Sequence, residues 1–302
     1  MAINTIEYAK KFSSELDKAF VQKAVTGFFA DNVLRAKFVG AKTVLIPDID
    51  FVGLVDYDRD NGFNRAAVTV ANTPFTMAMD RGRSLQIDRE DMDETGIANL
   101  AGQIMGEYVR TKAVPEADAY VLSKLAGVAK TKGNTVAWSA TAPYKVFTEM
   151  VRAIQDKVGY DEELVAFVDS AAMAAIDNSE EFSRSITVSD FKQGGVDTKV
   201  KSINGIALIP VSSARMKSAY NFTKTANNAT EGGFAPDAQA KDIHMLVLPK
   251  KAASLVKKTE KMRIWSPDQN LNADAYKFDY RIYYDVFVKK SATGAIYASF
   301  SA

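Results

Sequence analysis

The densest run of chemistry-capable side chains is Asp56-Tyr57-Asp58-Arg59-Asp60-Asn61-Gly62. Carboxylates at every second position are what a calcium loop presents. Here, however, the sixth position is Asn61 rather than glycine, and the twelfth is Ala67 rather than a bidentate glutamate. A charged hairpin tip accounts for the pattern more simply. His244 is the only histidine and there is no cysteine, which excludes thiolate nucleophiles, disulfides and the usual His/Cys metal sites. His244 lies in Ile243-His244-Met245-Leu246-Val247 and reads as a histidine on the polar face of a strand. A Ser-His-Asp triad is formally available, yet no Gly-x-Ser-x-Gly elbow exists to raise a serine. Ser254 and Lys257 have a Ser–Lys spacing inside a lysine-rich segment that reads as a short helix to about Lys258. Neither Gly-x-Gly-x-x-Gly nor a Walker loop is present to cradle phosphate. The acidic cluster from Asp88 to Glu94, with Asp91 between, could be a paired-carboxylate site. Charge at a helix N-terminus plus salt bridges between subunits explains it with fewer assumptions. Lys250, Lys251, Lys257, Lys258, Lys261 and Arg263 form a basic patch, either a solvated face or a contact for nucleic acid or an acidic neighbour.

The search for catalysis therefore returns almost nothing, and the bulk numbers agree. The chain has 302 residues, 47% of them apolar and 25% charged, with a net charge of +1. That is enough to bury a sizeable core, and nothing global points to a nucleic-acid or membrane binder. No window of about 18 apolar residues marks a membrane span, and the first residues, Met1 to Phe12, have no apolar signal-peptide core. Folding in a reducing cytoplasm is expected.

The elements that would position these residues are more informative. Residues 4–38 read as mostly helical, with Ile6, Ala9, Phe12, Leu16, Phe20, Val21 and Ala24 able to share a side before Gly27 interrupts. This segment is either a helix on its own domain or an arm across a neighbouring subunit. From residue 42 to 88 the period becomes two: Val44, Ile46, Ile49, Phe51, Val55 and Tyr57 lead to Asn61-Gly62, the strongest hairpin signal in the chain. Val68, Val70, Phe75, Met77 and Met79 return, then Leu85 and Ile87 follow Arg81-Gly82-Arg83. A two-stranded ribbon is marginal alone in water and needs a surface to lie on.

Next comes the longest amphipathic pattern: Ile97, Leu100, Ala101, Ile104, Met105 and Tyr108, beside a small-residue stripe of Ala98, Gly102 and Gly106 expected to pack tightly. Pro115 should kink or restart the helix, after which Ala117, Tyr120, Val121, Leu125 and Val128 continue. Pro143 starts another helix that ends near Gly159. Beyond it the pattern is mixed: a buried strand at 164–168, a small helix capped by Ser170, strand pieces about Asn204-Gly205, a long polar loop at 217–241, a strand at 243–249, a strongly alternating strand from Tyr276 to Val288, and a closing stretch from Ile296.

Several strings, Asp80-Arg81-Gly82-Arg83-Ser84, Val114 to Tyr120, Ile203 to Val211 and Tyr276 to Val288, resemble major capsid proteins of tailed phages, which share the Hong Kong 97-type coat fold. The resemblance implies an α+β chain with an N-terminal arm over 1–40, an extended E-loop hairpin with flanking strands over 41–90, a peripheral domain with a long spine helix over 91–160, an axial domain over 161–250, and a closing helix and strands returning to the peripheral domain over 251–302. It implies no enzyme and no cofactor. Copies would assemble as hexamers and pentamers into an icosahedral head around double-stranded DNA, inside the host cytoplasm, without a membrane. Portal, scaffolding and decoration proteins are candidate further partners; a start so near the arm implies a separate scaffolding protein or none. Contacts between copies are expected at Asp56, Tyr57, Asp58, Arg59, Asp60 and Asn61 of the hairpin tip, at Arg81 and Arg83, at Asp88, Asp91 and Glu94, and at Phe12 and Phe20 of the arm. The alternative is an encapsulin-like nanocompartment with protein cargo.

Overall fold

The computed structural model describes residues 24–31, 37–39, 42–50, 52–57, 59, 69–90, 101–179, 186–193, 196–222 and 233–301. Phe12, Phe20, Asp58, Asp60, Asn61, Asp91 and Glu94 lie outside these residues, as do Ile97, Ala98 and Leu100.

The alternating segment forms the predicted antiparallel ribbon. Strand β1 (Lys37–Val39) pairs with β2 (Thr43–Asp50), which pairs with β3 (Thr69–Thr76) in a register from Thr43 opposite Thr76 to Asp50 opposite Thr69. The expected strand does not continue through Val55 and Tyr57: residues 52–57 are irregular and exposed. Strand β4 (Met79–Asp88) then leads toward the long helical region.

That region is α1 (Ala101–Tyr108), a π-helical turn (Val109–Ala113) and α2 (Val114–Thr131). The wide turn sits just upstream of Pro115, whose ring and missing N–H disturb the preceding turn. Val114, Ala117, Val121, Leu125 and Ala129 are buried along α2. The expected tight packing at the small-residue stripe is not met at Gly106, where an added Cβ would find nothing within 4 Å.

After a short β5 (Thr135–Ala137), helix α3 (Pro143–Val158) starts on its proline and stops at Gly159, whose φ of 83° suits a residue without Cβ. Strand β6 (Leu164–Asp169) is buried at every position. It runs into α4 (Ser170–Asp177), capped not by Ser170 but by Asp169, whose carboxylate accepts from the Ala172 N–H at 2.7 Å. Then come β7 (Ile186–Gln193), β8 (Val196–Ile203) and β9 (Ile206–Val211), the last two joined through Asn204 and Gly205, both at positive φ. The polar stretch at 217–241 contains a small ladder, β10 (Tyr220–Asn221) with β11 (Ala235–Pro236). Strand β12 (Ile243–Pro249) follows as expected.

The lysine-rich helix expected to about Lys258 is instead part of a strand, β13 (Ala253–Trp265), paired along its length with β14 (Ala275–Val288). Its residues alternate between a packed and a wet side, a pattern that the lysines' long apolar stems blur in sequence. The chain closes with β15 (Tyr297–Phe300).

Two sheets organise the core. One has the order β13-β14-β4; the other has the order β5-β15-β12-β6-β9-β8-β7. The seven-stranded sheet is covered on both faces. Val165 and Phe167 join the core built on α2, while Ala166 and Val168 join the core built on Phe147, Met150 and Ile154 of α3. Two covered faces explain why β6 is a continuous apolar run rather than an alternation. The last strand thus pairs in this sheet, between β5 and β12, while β13 and β14 pair with β4.

The leading segment differs from a detached arm over its described part. Phe28 and Phe29 are fully buried and lie about Phe167, with ring centroids at 6.0 and 6.1 Å. Residues 24–31 are therefore part of the subunit's own core.

Candidate assembly surfaces

Three buried or half-buried charged groups fix the geometry of the exposed parts. The first is Asp285 of β14, which has no exposed surface. It accepts from the Ala78 N–H at 2.9 Å, the Tyr120 hydroxyl at 2.9 Å and Lys124 Nζ at 2.5 Å. Burial, then the neighbouring carboxylate, holds the Tyr120 hydroxyl well above the ordinary tyrosine range. Around this point Val44, Met77, Tyr283 and Phe287 form a small separate core, with Phe75 against Phe287 at 5.2 Å. The root of the ribbon is thus clamped to both the sheet and α2.

The second is Arg81. Its guanidinium meets Glu116 of α2 at 2.5 Å and donates to the Phe222 carbonyl at 2.8 Å and the Gly233 carbonyl at 3.1 Å. A planar fork with several donors suits this convergence of a strand, a helix and the two flanks of a loop. The third is Asp118, fully buried, which accepts from the N–H groups of Val25 and Thr26 and from the Thr26 hydroxyl, and pairs with Arg215 at 3.1 Å. Burial pushes its carboxyl up, against the opposing pull of Thr26 and Arg215. It holds residues 25 and 26 to α2.

The catalytic candidates do not converge on a reactive arrangement. His244 stacks on Trp138 with centroids 4.9 Å apart, and its Nδ1 lies 3.2 Å from Asp169 Oδ2. Ser213 reaches the same carboxylate at 3.4 Å. A nucleophilic serine needs the imidazole between itself and the acid; here the carboxylate lies between the two. Ser254 is buried, and Lys257, three residues along the same strand, pairs with Glu260 at 3.0 Å. An odd spacing on a strand sends side chains to opposite faces. Among the described residues no group of three acids or histidines could hold a metal ion.

Of the expected contact residues, Asp56, Tyr57 and Arg59 are exposed in the loop between β2 and β3. Arg83 is exposed, and Asp88 is exposed while accepting from the Glu90 N–H at 3.0 Å. Arg81 is engaged within its own chain. Sequence reasoning missed the apolar part of the loop: Val52 is 68% exposed, Val55 65%, and Leu54 fully exposed. The signal was there in Val52-Gly53-Leu54-Val55, where adjacent apolar residues break the period-two pattern. It also missed Asp118, Glu116 and Asp285, acids whose burial has no local signature.

No protein-family model matches this chain, and no curated protein matches it in sequence. Solved structures do match. The mature capsid of bacteriophage PhiM1 is 16% identical with a TM-score of 0.54, over 87% of this chain and 82% of that one. The capsid of cyanophage P-SCSP1u is 14% identical with a TM-score of 0.56, over 88% and 85%. A virus-like particle from Pyrococcus furiosus is 10% identical with a TM-score of 0.52, over 97% and 99%. With its mixed helices and strands in this order, the chain has the α+β Hong Kong 97-type coat fold found in phage capsids.

Proposed function

We propose that this chain is the major capsid protein of a tailed phage, a coat subunit that self-assembles into a closed shell. The carrying observation is the ribbon. Its root is clamped by Asp285 and a dedicated apolar cluster, while its loop presents Val52, Leu54, Val55 and Tyr57 to solvent. A rigid root with an apolar, unburied loop is the form of a connector whose cover lies on another molecule. Copies would form hexamers and pentamers of an icosahedral head around double-stranded DNA. Many modest contacts would add through multivalency, and no step needs a catalytic residue. Portal, scaffolding and decoration proteins are the further partners this role calls for, and the host cytoplasm is where assembly would occur.

The test is electron microscopy of purified, concentrated protein beside a variant lacking residues 57–64. Shells are expected from the parent. The deletion should give a folded subunit without shells; normal particles from it would count against this reading. A second reading, an encapsulin-like shell around protein cargo, is favoured by the likeness to the Pyrococcus furiosus virus-like particle over nearly the whole of both chains. Nucleic acid inside purified particles supports the first reading, protein cargo the second.

A further inference from the structure

The three-stranded sheet has one face on α2 and one face in water. Register places three rows on the wet face: Lys261, Arg281 and Gly82; Arg263, Asp279 and Ser84; Trp265, Lys277 and Gln86. Lys261, Arg263, Trp265 and Arg281 are exposed. Arg281 pairs with Asp80 at 2.6 Å, and Asp279 receives the Trp265 indole N–H at 3.0 Å with Lys277 at 3.7 Å. Four cations thus stand against two carboxylates. Gly82 leaves a bare strip, where a Cβ would already be 3.1 Å from the Tyr280 carbonyl.

The ribbon loop carries the opposite balance: Asp56, Asp58 and Asp60 against Arg59, next to the exposed Val52, Leu54, Val55 and Tyr57. We infer that the wet face of the β4–β14–β13 sheet receives the ribbon loop of a second copy, with the loop carboxylates over Lys261 and Arg263 and its apolar side chains against Trp265 and the strip at Gly82. This rests on the reading of the chain as a shell subunit and names the surface that covers the loop. In its own subunit Leu54 stays fully exposed, so the loop's cover lies elsewhere. Residues 51–68 between the ladder ends can reach at most roughly 30 Å out, enough to cross a neighbour's sheet. Duplex nucleic acid suits this face less well. Asp80 and Asp279 would repel phosphates, and the loop's apolar side chains would remain in water.

Charge reversal tests it. One variant carries Lys261→Glu and Arg263→Glu; a second carries Asp56→Lys, Asp58→Lys and Asp60→Lys; a third carries all five. A neutral pair, Lys261→Gln with Arg263→Gln, and the thermal melting of every isolated subunit guard against misfolding. Assembly is followed by sedimentation velocity and microscopy across a concentration series. Each single set should raise the concentration needed for shells about tenfold or more, the neutral pair less, and the five-fold variant should recover most of the loss. Either set assembling like the parent overturns the proposal, as does a five-fold variant no better than the single sets. Sheet-variant shells that form normally but retain less nucleic acid assign the face to nucleic acid and also overturn it. If the parent forms no shells at any concentration, the coat reading falls and this falls with it; if the parent assembles, only the docking surface is at stake.

Discussion

The backbone N–H of Ala78 donates to the buried carboxylate of Asp285 at 2.9 Å, joining two points 207 residues apart in the chain. The same carboxylate holds Tyr120 and Lys124 of α2. One side chain therefore ties the turn at which the ribbon joins the body to both the sheet and the long helix.

Asp285→Ala should destabilise the subunit by about 3 kcal/mol, because it leaves a backbone donor and a partly buried ammonium without their acceptor. Asp285→Asn should cost less, since an amide oxygen still accepts from Ala78. Urea unfolding followed by circular dichroism reads both. A loss below about 1 kcal/mol for the alanine variant would show that the clamp is not what holds the root.

Ser299 makes the opposite prediction. It lies in β15, opposite Val136 and Met245, and is fully buried. Among the described residues its hydroxyl is the one buried side-chain polar atom that finds no hydrogen-bond partner. An unsatisfied buried hydroxyl costs on the order of 1 kcal/mol or more. Ser299→Ala should therefore raise the melting temperature by a few degrees. A clear drop would mean that the hydroxyl has a role the fold does not display.

Much of this architecture was legible in the sequence, and the failures have physical causes. The apolar run at β6, the proline start and glycine stop of α3, and the alternation of β14 were readable because local chemistry and burial agree there. At β13 they disagree. Lys257, Lys258 and Lys261 favour a helix by propensity, but twelve residues of pairing with β14 decide the outcome. Phe28 and Phe29 looked like part of an arm because nothing local reveals that Asp118, more than ninety positions on, caps the backbone before them. Tip chemistry was legible as a charged loop. Its apolar half, Val52 to Val55, was absorbed into an assumed strand.

Acid should weaken the subunit through two surface pairs. Hydrogen bonding from Arg281 holds the Asp80 carboxyl below its usual range, and Lys250 does the same for Glu163. Groups lowered in the folded state stabilise it above the unfolded pKa, and that contribution is lost as pH falls through the folded value. Stability should therefore decline below about pH 4, the ordinary carboxylate range. Arg281→Gln and Lys250→Gln should each flatten the slope there. Both pairs are exposed, so the effect should shrink in high salt. Melting curves from pH 6 to pH 2.5 at two ionic strengths would show it; an unchanged slope in the double variant would remove these pairs as the cause.

The exposed loop separates folding from association. Val52, Leu54 and Val55 contribute little to the core of a single subunit, so replacing all three with serine should leave unfolding within about 0.5 kcal/mol of the parent. The same change removes apolar surface that binding to another copy would bury, at about 25 cal/mol per Å². Because each subunit in a shell both gives a loop and receives one, the loss repeats at every contact. Shell formation should therefore fail at concentrations where the parent assembles, while the melting curve barely moves. The two measurements must diverge: a triple variant that melts several degrees lower places the loop in the subunit's own stability, and one that assembles normally removes it from the interface.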